Sequence, residues 1–597
     1  MSQNSAFGWR ERALTLRQEG KLGEAVDACR RALKEAPADA QALSELAHAL
    51  RLQGSLEEAR SAASRAVEIA PGLASAWFNL GAVRVAQGET ARGIESYRKA
   101  LELDPSMAEA WSNLGGALGA SGDKAGEIEA YQRAIRINPR LAPVWSNLGH
   151  ALRLSGQIRE AVAACRKAVQ VDPAFAPAWI NLGTALVDSG EHEAAITACE
   201  SALRLQPGLA QSWGALGGAL HAARRLEEAL QAHRRAVELQ PDNATFQFNL
   251  GVTLQHCGRS AEAIPPLRRA LEVEPVHAEA HFELGLALLV TGQLREGWHE
   301  YEWRWRRPGV EPKRYDLPLW GGDRSESRRL LLWGEQGIGD QVIYGSMIPD
   351  LLSSPLRLTL EVDRRLVPIY RRSFPQVSVV PRPASPAAAG PGAHDWQAPL
   401  ASLGGWLRPS FESFPGRAFL EPDPARVSEY RRRLAGGRKA VVGVSWRSAN
   451  QELGSFKSTR LGDWAGIVGL PGILPVDLQY GDTASERESL EREARVRIEH
   501  LPDLDLTEDL DALAALCAAC DLVITVSNVT AHIAGAIGRP VWLIAPKGNG
   551  RFWYWFTGRG DSPWYRSMRV FSQHTPGSWG QVLESVEEQL ATFTKPR

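Results

Sequence analysis

Residues 77–81 read Trp77-Phe78-Asn79-Leu80-Gly81, and this run decides the fold of half the chain. Trp111, Trp145, Trp179 and Trp213 follow it in step, 34 residues apart. The leucine recurs at the same spacing, as Leu46, Leu80, Leu114, Leu148, Leu182, Leu216, Leu250 and Leu284. So do Pro37, Pro71, Pro105, Pro139, Pro173, Pro207, Pro241 and Pro275. Glycine keeps the period at 20, 54, 88, 122, 156, 190, 258 and 292, with Arg224 filling the one gap. Each recurring residue has a physical task. The glycine ends a first helix where φ must turn positive. The proline closes a second helix, because its ring cannot continue one. Leu and Trp fall one turn apart on the buried stripe of the first helix. Ala161, Ala195, Ala229 and Ala263 are small, so two helices can approach closely.

The period and the W-x2-L-G pattern resemble the tetratricopeptide repeat. One helix pair cannot bury its own apolar face, so the pairs must stack as a solenoid. About eight full units are expected over residues 3–275, and a less regular ninth to about residue 307. Cys29, Cys165 and Cys199 share one repeat position with Tyr97 and Tyr131, which marks them as core packing rather than ligands. Asn79, Asn113, Asn147, Asn181 and Asn249 precede the Leu-Gly pair. Two readings of this ladder stand side by side. The amides face the concave surface and hydrogen-bond the backbone of a bound protein, or they bond the neighbouring repeat. The ladder resembles that of animal O-linked N-acetylglucosamine transferases, and that resemblance implies an acceptor protein gripped by the repeats.

Composition narrows the function classes. Lys+Arg number 68 against 69 Asp+Glu, a net charge of -1 over 597 residues, which argues against nucleic-acid binding as the main role. The opening MSQNSAFGWRER has no apolar core of signal-peptide length, and no run of apolar residues is long enough to span a bilayer. Six cysteines make no disulfide framework. The expectation is a cytoplasmic protein.

After a connector at 309–327 the pattern changes to strand, turn, helix. Residues 329–333 (RLLLW) form a short apolar run, then a glycine-rich turn holds Gly337, Gly339 and Asp340, and a helix is expected from Gln341. Strands are expected at 356–362 and 377–380, and a Pro/Ala/Gly-rich loop at 381–393. A second series gives strands at 440–445, 473–478, 496–498, 521–526 and 540–545, with helices at 513–519, 531–537 and 581–591. This reads as two Rossmann-like lobes, 328–433 and 434–597, with ligands at the carboxyl ends of the strands. The first lobe is short for its class, so the repeats are expected to complete the acceptor side of the cleft.

Gly337-Ile338-Gly339-Asp340 resembles the "GD" turn of bacterial heptosyltransferase-type glycosyltransferases of the GT-B type. The run from Asp521 through His532 to Pro540 resembles their second-lobe motif, and the tail with Trp564, Tyr565, Arg569 and Gln573 resembles bacterial fusions of tetratricopeptide repeats to this domain. Some of those fusions are flagellin glycosyltransferases. The resemblance implies a metal-independent protein O-glycosyltransferase using a nucleotide sugar, CMP-nonulosonic acid or a UDP-sugar, with flagellin as the favoured acceptor. It implies Asp340 as the base for the acceptor hydroxyl; the alternative is that Asp340 caps its helix. His532, on a helix expected to be capped by Thr530, would donate to phosphate, or it packs at a domain seam. Lys457 resembles the family's phosphate-neutralising lysine. Ser445, Trp446, Arg447, Gln479, Ser527 and Asn528 complete the expected donor site; at Ser527 the family usually carries Asp. Cys517-x-x-Cys520 lacks a second pair, and Asp503-x-Asp505 lies in a loop away from a nucleotide strand, so no metal is assigned. Two other readings remain: a transferase acting on a glycan or lipid-linked sugar, and a non-catalytic scaffold with a degenerate transferase domain.

Overall fold

The computed structural model describes residues 5–310, 315–335, 337–382, 393–434, 439–450 and 453–593. Most of the expected loop at 381–393, and residues 311–314 of the connector, lie outside them. Among the described residues, eighteen helices form an N-terminal tetratricopeptide solenoid, followed by an α/β region with two parallel sheets. The chain divides into two compact units, Met1–Gln240 and Pro241–Arg597.

Within the first unit the repeat logic is borne out residue by residue. Gly20, Gly54, Gly88, Gly122, Gly156 and Gly190 all have positive φ, and Arg224 adopts φ 65 where the glycine is missing. The glycine of each Leu-Gly pair is needed for contact with the second helix. A Cβ on Gly149 would lie 2.3 Å from Cys165 Sγ, and one on Gly115 would lie 2.8 Å from the Tyr131 ring. Cysteine, tyrosine and His233 at that position are therefore core, as expected, and buried Cys165 and Cys199 have thiols pushed up to about 12. The Trp–Pro co-recurrence has its own cause. The indole N–H of Trp77, Trp111, Trp145, Trp179 and Trp213 donates to the carbonyl of the proline six residues earlier, at 2.9–3.0 Å. In the second unit Gln247 Nε2 takes over this bond to Pro241, at 2.8 Å.

The second unit opens with the last two helix pairs, Ala244–His256 with Ser260–Val273, and Ala278–Val290 with the short Leu294–Tyr301. The α/β strands are β1 (Arg329–Trp333), β2 (Arg357–Val362), β3 (Ser378–Pro381), β4 (Trp396–Pro399), β5 (Ala440–Ser445), β6 (Ile473–Asp477), β7 (Leu522–Val526), β8 (Val541–Ala545) and β9 (Met568–Ser572). The sheets run β3-β2-β1-β4 and β6-β5-β7-β8-β9, parallel throughout. In the first, strand order reverses at β1; in the second, between β5 and β7. Such reversal points open a crevice beyond the strand ends.

Three expectations need correction. The strand expected at 496–498 is a single bridge, in which Glu499 exchanges bonds with Asp477 and Pro475, because the chain only touches the edge of β6. The helix expected from Gln341 begins at Ile338. Strands β4 and β9, short and partly polar, had no strand expectation.

The last repeat and the first lobe share one core. Trp298 and Tyr301 pack with Leu330, Tyr344, Leu403 and Trp553, all buried. Gly404 exists to admit Trp298, since a Cβ there would fall 2.1 Å from the indole. The indole N–H donates to the Arg408 carbonyl at 3.0 Å. Arg304, just beyond the last helix, makes a buried two-pronged pair with Glu335 at 2.7 and 3.1 Å, and Glu335 also accepts from the Ala401 N–H. Glu335 is part of the turn that leads to Asp340, so this pair fixes the turn; removing one partner would strand a buried charge.

Candidate functional site

The turn after β1 and the turn after β7 aim two helices, Ile338–Gly345 and Val529–Ala536, at each other. Gly339 and His532 meet there: a Cβ on Gly339 would lie 2.9 Å from His532 Cδ2. Close approach of the lobes therefore requires glycine at 339.

Asp340 sits in the first turn of its helix, whose N-cap is Gly337. It is not the N-cap residue itself, but its carboxylate accepts from the Gly337 N–H, the return bond of a capping box, so the expected capping contact is present in this form beside the cavity position. Half-buried, it lines a cavity of about 570 Å³. Burial pushes its carboxyl up to about 6, against the pull of the Lys457 charge, the Tyr554 hydroxyl and the Gly337 N–H. Lys457 is buried, with its ammonium 4.1 Å from the centre of the Phe552 ring, and burial brings it down to about 8. A cation held over an aromatic face beside a carboxylate is poised to meet further negative charge.

His532 is fully enclosed. Its ring stacks on Trp555 with centroids 4.9 Å apart, meets Tyr554 edge-on, and shares a 3.2 Å hydrogen bond between Nδ1 and the Tyr565 hydroxyl. Burial, with the Lys457 charge, brings it down to about 3, so it is neutral at ordinary pH. The structure places it at the lobe seam, behind the cavity wall. Thr530 does not cap its helix: Asn528 does, its Oδ1 accepting from Thr530 N and Ala531 N. Asn is the better cap here because its amide also donates to Ser445 Oγ at 2.7 Å and the Arg447 carbonyl at 3.0 Å.

The other expected donor residues form their own network. Gln479 Oε1 accepts from Ser445 Oγ, Trp446 N and Arg447 N. The Trp446 indole and Arg447 Nε both donate to Glu486. Ser527 Oγ accepts from the Trp555 indole at 2.8 Å. That contact gives a reason for serine at 527: a hydroxyl satisfies the indole without placing a charge in the core. Cys517 and Cys520 are buried core, and Asp503 is paired with Arg433 while Asp505 caps the turn at Thr507.

The Asn ladder divides. Asn79 and Asn181 donate to the carbonyl and hydroxyl of Ser44 and Ser146 in the preceding repeat. Asn113 and Asn147 are exposed, and they hydrogen-bond the Tyr97 and Tyr131 hydroxyls of the preceding repeat; Asn249 is half-buried.

Sequence reasoning missed much of the cavity wall. Gln255, Phe282, Glu283 and Arg307 come from the last two repeats and their exit. Glu283 accepts from Gln255 Nε2 at 2.7 Å, and burial pushes its carboxyl up to about 7. The remaining wall includes residues 547–554, 557–558 and 572–573, with Asn549 N–H donating to the His256 carbonyl at 3.3 Å. The one visible signal was the aromatic run Trp553-Tyr554-Trp555.

Family models match the repeats. Tetratricopeptide family models match residues 10–74 and 83–122, and the model for the cilia and flagella-associated protein 70 C-terminal domain matches 106–305. The chain is a tetratricopeptide-repeat protein carrying a C-terminal α/β region. It is 35% identical over 325 residues to protein FlbA of Caulobacter vibrioides, a match covering 51% of this chain. The chain spans 54% of that relative's length. Among solved structures, it is similar to a Cut9–Hcn1 chain from the APC/C hetero-tetramer (19% identity, 45% of this chain and 52% of that one, TM-score 0.38). It is also similar to YrrB, a tetratricopeptide protein with an unusual peptide-binding site (23% identity, 31% and 96%, TM-score 0.28).

Proposed function

We propose that the protein is a glycosyltransferase that moves a sugar from a nucleotide-sugar donor to a Ser or Thr hydroxyl of a protein held by its repeats, with flagellin the favoured acceptor. The observation that carries this reading is Asp340, a carboxylate with its pKa raised to about 6, lining a cavity walled on one side by repeat residues. A base of that strength is ionised at pH 7 and still able to hold a proton. Asp340 takes the proton of the acceptor hydroxyl as its oxygen bonds to the anomeric carbon. The bond from that carbon to the donor phosphate breaks, and the electron pair leaves with the phosphate. Lys457 offsets the charge left behind. His532, neutral and enclosed, serves as packing at the lobe seam rather than as a proton carrier. The site is proposed to work in the cytoplasm.

A second reading, a scaffold without transfer activity, draws on the internal network of Ser445, Trp446, Gln479, Ser527 and Asn528, whose polar groups bond to the protein itself. Incubating the purified chain with CMP- and UDP-sugars separates the two. Slow release of free nucleotide, lost in Asp340→Asn, supports the transferase; no release from any donor, with acceptor present, supports the scaffold.

A further inference from the structure

One wall of the cavity, packed against the end of the Ala244–His256 helix, has an excess of hydrogen-bond donors and positive charge. It is the loop 546–551, Pro-Lys-Gly-Asn-Gly-Arg, at the carboxyl end of β8, backed by Gln573 after β9. Gly548 and Gly550 have φ of 73 and 87, so the backbone turns in a way that side chains resist. Among the described residues, neither glycine N–H has an acceptor, while the Asn549 N–H between them donates to the His256 carbonyl at 3.3 Å.

The side chains add to this. Arg551 spends its terminal nitrogens on neutral groups: the Pro546 carbonyl, Ser572 Oγ at 2.9 Å, the Trp555 carbonyl at 2.8 Å and the Phe556 carbonyl. Its Nε is buried and unpaired. Lys547 Nζ bonds the His574 carbonyl at 3.0 Å, again a neutral partner. Neither cation pairs with a carboxylate among the described residues. Gln573 is 4% exposed; its Oε1 accepts from the Lys547 and Gly577 N–H groups, and its Nε2 has no partner. The Tyr344 hydroxyl, also in the cavity lining, is buried and unpaired. Buried donors left without acceptors are rare and call for an explanation. A half-buried arginine surrounded only by neutral acceptors keeps its whole charge for whatever enters beside it. Two carboxyls line the same cavity, Asp340 and Glu283, and neither forms an ion pair with this wall.

We infer that the loop 546–551 with Gln573 is an anion-binding wall that takes the phosphate of the nucleotide donor. The inference rests on the transferase reading for the identity of the anion, and it moves the phosphate away from the helix at His532. Its geometry also suits the reaction, because the phosphate would share the cavity with Asp340.

The test is calorimetric titration of the full chain with UDP, CMP and inorganic pyrophosphate, in wild type, Lys547→Gln and Arg551→Lys. Arg551 also holds its loop, so circular dichroism first checks that each variant is folded; Lys547→Gln removes charge while leaving the loop's backbone bonds in place. The expected result is that at least one phosphate probe binds wild type and loses about tenfold or more in affinity in Lys547→Gln. Nucleotide binding that is unchanged in both folded variants overturns the anion wall and leaves the transferase reading standing. Pyrophosphate binding that depends on Lys547, without binding of either nucleotide, keeps the wall and counts against the transferase. Failure of all three probes to bind wild type overturns the wall.

Discussion

Asp340 is held at about 6 by burial, and Lys457 at about 8, so the working pair is an ionised acid with a protonated base. The rate under kcat/KM conditions is expected to rise through pH 6 and fall above pH 8, a bell whose limbs belong to the pair. No limb is expected from His532, which at about 3 does not titrate in this range. A pH–rate profile with a single limb near 6.5 would contradict this. The same shift has a stability sign. Folding raises the Asp340 pKa above its unfolded value near 4, so the folded chain binds the proton more tightly, and stability falls as pH rises from about 4 to 6. Asp340→Asn should therefore be inactive yet more stable at pH 8, by ~1 kcal/mol after allowance for its partial exposure, with the gain gone near pH 4. Urea melts at the two pH values measure this.

At the scale of elements, the repeat turns make the sharpest test. Arg224 occupies φ 65, a conformation that glycine adopts without a side-chain penalty in its eight sister turns, from Gly20 to Gly292. Arg224→Gly should stabilise the chain by ~0.5–1 kcal/mol in thermal or urea unfolding. The two kinds of ladder asparagine should also separate. Asn79→Ala and Asn181→Ala lose bonds to Ser44 and Ser146 and should each cost about 1 kcal/mol. Asn113→Ala and Asn147→Ala lose solvent-exposed bonds to Tyr97 and Tyr131, so they should cost less stability, and they should weaken binding of the acceptor protein, read by titration with that protein. These elements also show what was legible beforehand. The period in Leu, Trp, Gly and Pro encodes backbone turns and a buried stripe, which are local, so every helix pair could be read. The glycine-rich turn after β1 and the helix after β7 were legible for the same reason. The partners of Asn528, Ser527 and His532 were not, because Ser445, Trp555 and Tyr565 reach them from distant parts of the chain. Strand β9 and the bridge at Glu499 depend on neighbouring strands rather than on a pattern of their own.

For the whole molecule, the junction at 308 in the order of elements is not the junction in packing. The last two helix pairs belong to the same compact unit as both lobes, through Trp298, Tyr301 and the Arg304–Glu335 pair. A chain trimmed to 241–597 should remain folded and keep the cavity, while one trimmed to 309–597 loses the core partners of Tyr344 and Trp553 and should aggregate or melt without cooperativity. A soluble, fully active 309–597 would show that the repeats are dispensable for the site. The central claim is tested most directly by the intact mass of flagellin from cells with the wild-type protein, with its gene deleted, and with Asp340→Asn. A sugar-sized mass increment present with wild type and absent from the other two is the expected result. The same flagellin mass in all three would contradict the claim.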